Sequence, residues 1–433
     1  MEQETGNGIN EKGQYEEPDM ERLGKLPEES KNSGGRFGRG FLAGLLSALI
    51  LFGVGFGITH IFQELGSGDF ASGTTSKADV EDKLDEISGI IENYYLYEDE
   101  IDEDALIDGI YSGYASALGD PYTEYYGEEQ TKALYETTSG EFSGIGAVMS
   151  KSLDSDEITI VNVYKDSPAA KAGLMDGDIL TEVDGESVSG QELDTIVSKV
   201  KGDEGTEVVL TVLRDGEELE LTAVRDIIEV QTVSYEMKDN QIGYISVSEF
   251  DDVTYEQFKE ALDALESQGM QGLVIDLRSN PGGVLSTVTD MLKLLLPEGT
   301  IVSTKDKYGN VEEVTCDGEN EFTKPLAVLV NQYSASAAEI FSAAVQDYGI
   351  GEIVGVTTYG KGVVQQIIPM DDGTSMKVTI AEYYTPSGKS INGEGVTPDV
   401  EVEYEYNAEN PEADNQLDKA LEVIRSELDS SRQ

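Results

Sequence analysis

One histidine, one cysteine and a shortage of positive charge narrow the chemistry open to this 433-residue chain before any motif is read. The histidine, His60, ends a long apolar stretch, which leaves no Ser-His-Asp or Cys-His arrangement to activate a nucleophile. With Cys316 alone, no intrachain disulfide can form. Its neighbours Thr315 and Asp317 are polar, and it reads as an incidental loop thiol. There is no His/Cys cluster to hold zinc and no acidic loop of EF-hand spacing, so neither a metal nor another cofactor is expected. Lys and Arg number 29 against 86 Asp and Glu, for a formal net charge of −57. Such a surface repels a phosphate backbone and argues against nucleic acid as a partner. No internal repeat is present.

Residues 1–40 are polar, rich in glycine and without apolar periodicity, as in a disordered tail. Residues 41–59 are uncharged and mostly apolar, close to the roughly 20 residues a helix needs to cross a bilayer. The expected transmembrane helix is placed at 41–62. Lys25, Lys31, Arg36 and Arg39 precede it, so the positive-inside rule puts the N-terminus in the cytoplasm and the rest outside the cell membrane. A cleaved signal peptide is the competing reading, but the leader is long and the apolar span exceeds a usual h-region. A Gly/Ser/Thr-rich linker is expected over 63–78.

A helical region is expected over 79–139. Val80, Leu84, Ile87 and Ile91 share one helix face, as do Leu106, Ile110, Tyr114 and Leu118. Asp120-Pro121-Tyr122-Thr123 then breaks the pattern. Tyr94, Tyr95, Tyr97, Tyr111 and Tyr114 are read as core or subunit contacts. From 140 to 228 short alternating strands are separated by Gly/Asp turns, and Ser167 to Leu174 reads as a short capped helix.

Strand and helix patterns alternate from about Glu229 to 406, the texture of a layered α/β core. Leu273–Leu277 leads into Asn280-Pro281-Gly282-Gly283. Leu326–Val330 leads into Ser336 and a helix, so Ser336 stands where free N–H groups favour negative charge. Serine is also a favoured helix cap, and that reading stands beside the nucleophilic one. A lysine serves as base where burial lowers its pKa. Lys361 lies between Gly360 and Gly362, 25 positions after Ser336, ahead of an apolar run. Gln365 shares its strand face if Lys361 begins the strand. Lys377 and Lys389 are rival bases without glycine flanks. A C-terminal helix, 407–433, has an apolar face of Leu417, Leu421, Ile424 and Leu428 for the core or a second subunit.

Ser-Ala-Ser-Ala-Ala-Glu (334–339) followed by Tyr-Gly-Lys-Gly-Val-Val-Gln (359–365) resembles the C-terminal processing peptidases. These are S41-type serine proteases with a serine–lysine dyad and an inserted PDZ domain. The resemblance spans about 78 to 430 and implies an α/β fold (α+β, multidomain) with a crotonase-like ββα core. It implies Ser336 as nucleophile, Lys361 as general base and Gln365 as its supporting partner. The oxyanion hole would be Gly282 or Gly283 with Ala337. Residues 140–228 resemble a PDZ domain, in which Phe142, Ser143, Gly144, Ile145 and Gly146 would bind a peptide carboxylate, with Leu193 and Val197 lining the side-chain pocket. The function implied is a membrane-anchored serine endopeptidase that takes protein substrates by their C-termini. A homo-oligomer and a regulatory protein stay open as partners. Two alternatives are an inactive PDZ scaffold on a protease fold and a crotonase-type acyl-CoA enzyme.

Overall fold

The structure is a computed structural model and describes residues 77–431, apart from 153, 154 and 412. The expected tail, the apolar span 41–62 and nearly all of the linker lie outside these residues. Among the described residues no helix is long and apolar enough to cross a membrane.

The two N-terminal helices form at Lys77–Tyr94 and Glu103–Ser116. Asp102 caps the second, its Oδ1 accepting from the Ala105 N–H at 3.0 Å. The first begins inside the expected linker and buries no residue; the second buries only Ala115. Tyr94, Tyr95, Tyr97, Tyr111 and Tyr114 are all exposed. That corrects the core reading of these tyrosines, because an apolar stripe needs an opposing layer and the described residues put little over this one. The strand Glu124–Tyr126 follows and pairs antiparallel with Ser375–Lys377. Three residues are too few for an alternation signal, so the sequence did not announce it. The helical region therefore hands a strand to the second sheet of the α/β core and is not separate from it.

After the helix Glu128–Ser139, Gly140 takes φ +70°, a left-handed C-cap that suits glycine. Glu141–Gly144 and Asp226–Glu229 then zip together antiparallel, so chain entry and exit of the 140–228 domain lie side by side. Between them lies a six-stranded sheet with the main order Ala147–Lys151, Ile158–Val163, Ile179–Val183, Glu207–Arg214, Glu217–Val224, and Glu186–Ser187 pairing with Ile179–Val183 off that path. Ile158, Ile160, Leu180, Leu210, Ile196 and Val200 fill its core.

The larger core holds a six-stranded sheet in the order Val233–Lys238, Ile242–Val247, Gly272–Asp276, Leu326–Val330, Glu352–Gly355, Val400–Glu401. All pairings but the first are parallel. Alternation decides the two faces. Ile275, Val328 and Val330 meet the helices Thr254–Ser267, Leu285–Lys293 and Ala337–Tyr348. Val274, Ala327 and Leu329 meet Ala420, Leu421 and Ile424 of the C-terminal helix Asn415–Ser431. Strands buried on both faces read as the continuous apolar runs seen in the sequence. A second sheet joins Glu124–Tyr126, Val363–Pro369, Ser375–Tyr384, Gly299–Asp306 and Val311–Cys316. Cys316 ends the last of these strands and is buried, not in a polar loop. Its thiol sits 3.4 Å from the Leu296 carbonyl oxygen, where it packs as a small apolar residue.

Candidate active site

Leu326–Val330 delivers the chain to the site. Ser334 is spent on the turn that follows: its Oγ donates to the Leu277 carbonyl at 2.7 Å and accepts from the Asn331 N–H at 2.9 Å. Ser336 comes next, at φ +53°, ψ −112°, a conformation that side chains with a Cβ rarely adopt. Such a residue costs about 1–3 kcal/mol and persists where the surroundings hold it. The strained turn sets Ser336 at the head of the helix Ala337–Tyr348, and the Ala337 N–H has no intrahelical acceptor.

One carboxylate does the holding. Glu339 is fully buried. Its Oε2 accepts from the Ser336 N–H at 2.8 Å and the Lys361 N–H at 2.8 Å. Its Oε1 accepts from Thr358 Oγ1 at 2.6 Å and the Gly360 N–H at 2.7 Å. Burial pushes the Glu339 carboxyl above its ordinary pKa, and these hydrogen bonds pull the other way. Tyr383 adds a second tie: its hydroxyl donates to the carbonyl oxygens of both Ser336 and Lys361. The backbones at 336 and 361 are thus fixed against each other by two buried side chains. The sequence contained Glu339 within the 334–339 motif, but nothing local showed that it reaches Lys361.

Lys361 is 1% exposed, and its Nζ has no hydrogen-bond partner. Burial pulls its pKa down from 10.5 to about 7, helped by the positive charge of Lys377 and opposed by Glu339, Asp120 and Glu124. The amine lies 4.6 Å from the centroid of the Tyr122 ring and makes no bond to the Ser336 hydroxyl. The expectation that Lys361 begins a strand is corrected: the strand starts at Val363, so pleat alternation does not relate Lys361 to Gln365. Gln365 is buried nonetheless. Its Nε2 donates to Thr379 Oγ1 at 3.2 Å, and its Oε1 is buried without a partner. Of the rival bases, Lys377 is ion-paired with Glu124 at 2.6 Å and Lys389 is exposed.

The glycine pair divides its work. A Cβ on Gly282 (φ +111°) would stand 2.9 Å from Ser336 Cβ and 3.0 Å from the Ala337 nitrogen, so only glycine permits this approach. Its N–H, however, donates to Asn280 Oδ1 at 2.8 Å. Gly282 is therefore corrected as an oxyanion donor, since its proton is already used to shape the turn. The Gly283 N–H has no protein acceptor among the described residues. Gly283, Leu285, Ser336, Ala337, Ile340, Val363, Val364, Gln365 and Tyr383 line one narrow, largely apolar cleft.

The profile of peptidase family S41 matches residues 241–402, and that of the PDZ domain matches 159–214. The carboxy-terminal processing protease CtpA of Bacillus subtilis (strain 168) is 38% identical over 359 residues, covering 82% of this chain and 74% of its own. The chain belongs to peptidase family S41. A probable CtpA-like serine protease of Staphylococcus saprophyticus is 35% identical over 356 residues, 79% of this chain and 70% of that protein. The solved photosystem II D1 C-terminal processing protease is 28% identical, covering 71% of this chain and 84% of its own, with a TM-score of 0.42.

The PDZ domain of this S41 chain presents Ala147–Lys151 as the edge of its sheet. On the helix Leu193–Val200, Ile196 and Val200 point into the domain core, leaving Leu193 and Val197 half-buried. The expected carboxylate loop is shorter than 142–146. Phe142, Ser143 and Gly144 belong to the strand paired with Asp226–Glu229, because they close the neck of the domain. Ile145 and Gly146 make the turn into the edge strand, and Ser143 Oγ is buried without a partner.

Proposed function

We propose that this protein is a serine endopeptidase that uses a Ser336–Lys361 dyad and recognises protein substrates by their C-terminal segments. The observation that carries the reading is the single buried carboxylate of Glu339, bonded to the backbone N–H of both Ser336 and Lys361. The amine in the same pocket is dry and unpaired, with its pKa near 7, so a large fraction is neutral at neutral pH. Neutral Lys361 takes the Ser336 proton as Oγ attacks the scissile carbonyl. Side-chain rotation brings the amine to Oγ, and Gln365 Oε1, itself unsatisfied, receives one of its N–H groups. The Ala337 and Gly283 N–H groups bind the oxyanion. Lys361 then protonates the leaving amine, and water releases the acyl group. The apolar side chains of Leu285, Ile340, Val363 and Val364 favour a small apolar residue before the scissile bond.

In this reading the substrate's C-terminus adds as a strand to Ala147–Lys151, beside Leu193 and Val197. Residues 41–59 anchor the chain in the cell membrane with the catalytic part outside. Exposed Val80, Ile87, Ile90, Leu106 and Ile110 support a homo-oligomer through the N-terminal helices. Ser336→Ala and Lys361→Ala are each expected to abolish cleavage of a reporter peptide while retaining C-terminal peptide binding, measured by fluorescence anisotropy. Wild-type kcat/KM should rise with pH through about 7 as Lys361 loses its proton. Wild-type turnover in either variant removes the dyad.

A further inference from the structure

We propose that Tyr122 is a positioning residue for the base: its ring closes the pocket over the Lys361 amine and shuts water out. This rests on Lys361 being the base. Tyr122 comes from the Asp120–Thr123 turn, before the PDZ domain, so a distant part of the chain completes the catalytic pocket. The ring centroid is 4.6 Å from Lys361 Nζ, and that amine has no hydrogen bond.

The ring is held in place. Asp120 Oδ1 accepts from the Tyr122 N–H at 3.0 Å, and Oδ2 accepts from Thr123 Oγ1 at 2.6 Å. Thr123 Oγ1 accepts from the Thr379 N–H at 3.1 Å, and Thr379 Oγ1 accepts from Gln365 Nε2 at 3.2 Å. One line of hydrogen bonds therefore runs from the turn to the unsatisfied Gln365 amide. Pairing of Glu124–Tyr126 with Ser375–Lys377 pins the turn to the second sheet.

The charged groups around the amine come from four elements: Glu339 on the helix, Lys377 on its strand, Glu124 on the short strand and Asp120 in the turn. The Tyr383 hydroxyl donates to the Lys361 carbonyl, and the Tyr122 hydroxyl is hydrogen-bonded to that of Tyr359. Lys377 Nζ donates to Glu124 Oε2 at 2.6 Å and to the Tyr126 hydroxyl at 2.5 Å. Against this fixed background the Tyr122 ring does two opposed things. It excludes water, which disfavours the ammonium, and its π face favours the ammonium. Substitution separates them.

The test measures kcat/KM against pH for the full chain with a reporter peptide. In parallel, pH-dependent acetylation of Lys361 by acetic anhydride is read by mass spectrometry in the Ser336→Ala background. Tyr122→Ala admits water, so the midpoint should rise by at least about one pH unit, with a loss of roughly fivefold or more at pH 7 that is recovered at alkaline pH. Tyr122→Leu keeps the pocket dry and removes the π face, so the midpoint should fall. Tyr122→Phe should superpose on wild type. A merely structural role would lower rates without moving the midpoint. An unmoved midpoint in Tyr122→Ala, an upward shift in Tyr122→Leu, or a Tyr122→Phe profile matching Tyr122→Ala overturns the proposal. Cleavage persisting in Lys361→Ala sinks the base assignment itself. An inactive Lys361→Ala with an unmoved Tyr122→Ala midpoint sinks only the role of Tyr122.

Discussion

Lys361 destabilises the fold it serves, and pH sets by how much. Burial holds its pKa near 7, whereas an unfolded chain returns it to 10.5. The unfolded state binds more protons between those values, so this site favours folding increasingly as pH rises from 7 to 10.5. At and below pH 7 the penalty is greatest, on the order of 5 kcal/mol at about 1.4 kcal/mol per pKa unit. Lys361→Met keeps the bulk of the side chain and removes the charge. It is expected to raise the unfolding free energy by about 3–5 kcal/mol at pH 6, with the gain fading to nothing near pH 11. Urea denaturation at the two pH values measures this, and an equal gain at both contradicts it. The same residue shows what a local reading reaches. Its glycine flanks and its separation from Ser336 along the chain were visible in the sequence, but its dryness depends on Tyr122, which no local pattern connects to it.

At the scale of elements, the end of one strand secures the C-terminal helix. Arg278 follows the strand Gly272–Asp276 and forms a bidentate pair with Asp414, at 3.0 and 2.7 Å, while its Nε contacts Asp276 at 2.9 Å. Asp414 in turn accepts from the N–H groups of Gln416 and Leu417 at the start of the helix Asn415–Ser431. The guanidinium is largely buried, and its two carboxylates hold its pKa above the usual arginine value. Arg278→Met leaves the buried Asp276 and the part-exposed Asp414 without their cation and is expected to cost about 3 kcal/mol. Hydrogen exchange should show protection lost first in Asn415–Ser431; a uniform loss would remove the staple role. The helix itself was legible from Leu417, Leu421 and Ile424, but the sheet face it covers was not.

Across the whole molecule, the helix Glu128–Ser139, the neck of the PDZ domain and the protease core meet at Asp251. A Cβ on Gly140 would lie 3.0 Å from Asp251 Cβ, and the Asp252 N–H donates to the Thr138 carbonyl at 3.0 Å. Burial, with Glu249 and Asp252 nearby, pushes the Asp251 carboxyl up to about 8. Since the folded-state pKa is the higher one, its favourable contribution is complete below 3.8 and is lost as pH rises through 8. Asp251→Asn is expected to leave stability unchanged near pH 4 and to raise it by about 2–4 kcal/mol at pH 8.5. Thermal unfolding across that range checks it, and a pH-independent difference refutes it.

Short-range patterns in the chain were enough to place the strands of the two-face-buried sheet, to mark a strand-rich insert ahead of it and to single out Ser336 and Lys361 as candidates. Those signals live in periodicity, glycine placement and a motif within a few dozen residues. Packing alone decided which N–H of Gly282 and Gly283 stays free, that Phe142–Gly144 is spent closing the neck, and that Cys316 is buried. It also decided that Glu339 ties Ser336 to Lys361 and that Tyr122 covers the amine. The physical reason is reach: backbone conformation is set by neighbours along the chain, whereas dryness, hydrogen-bond satisfaction and proton affinity are set by whatever the fold brings within a few ångströms.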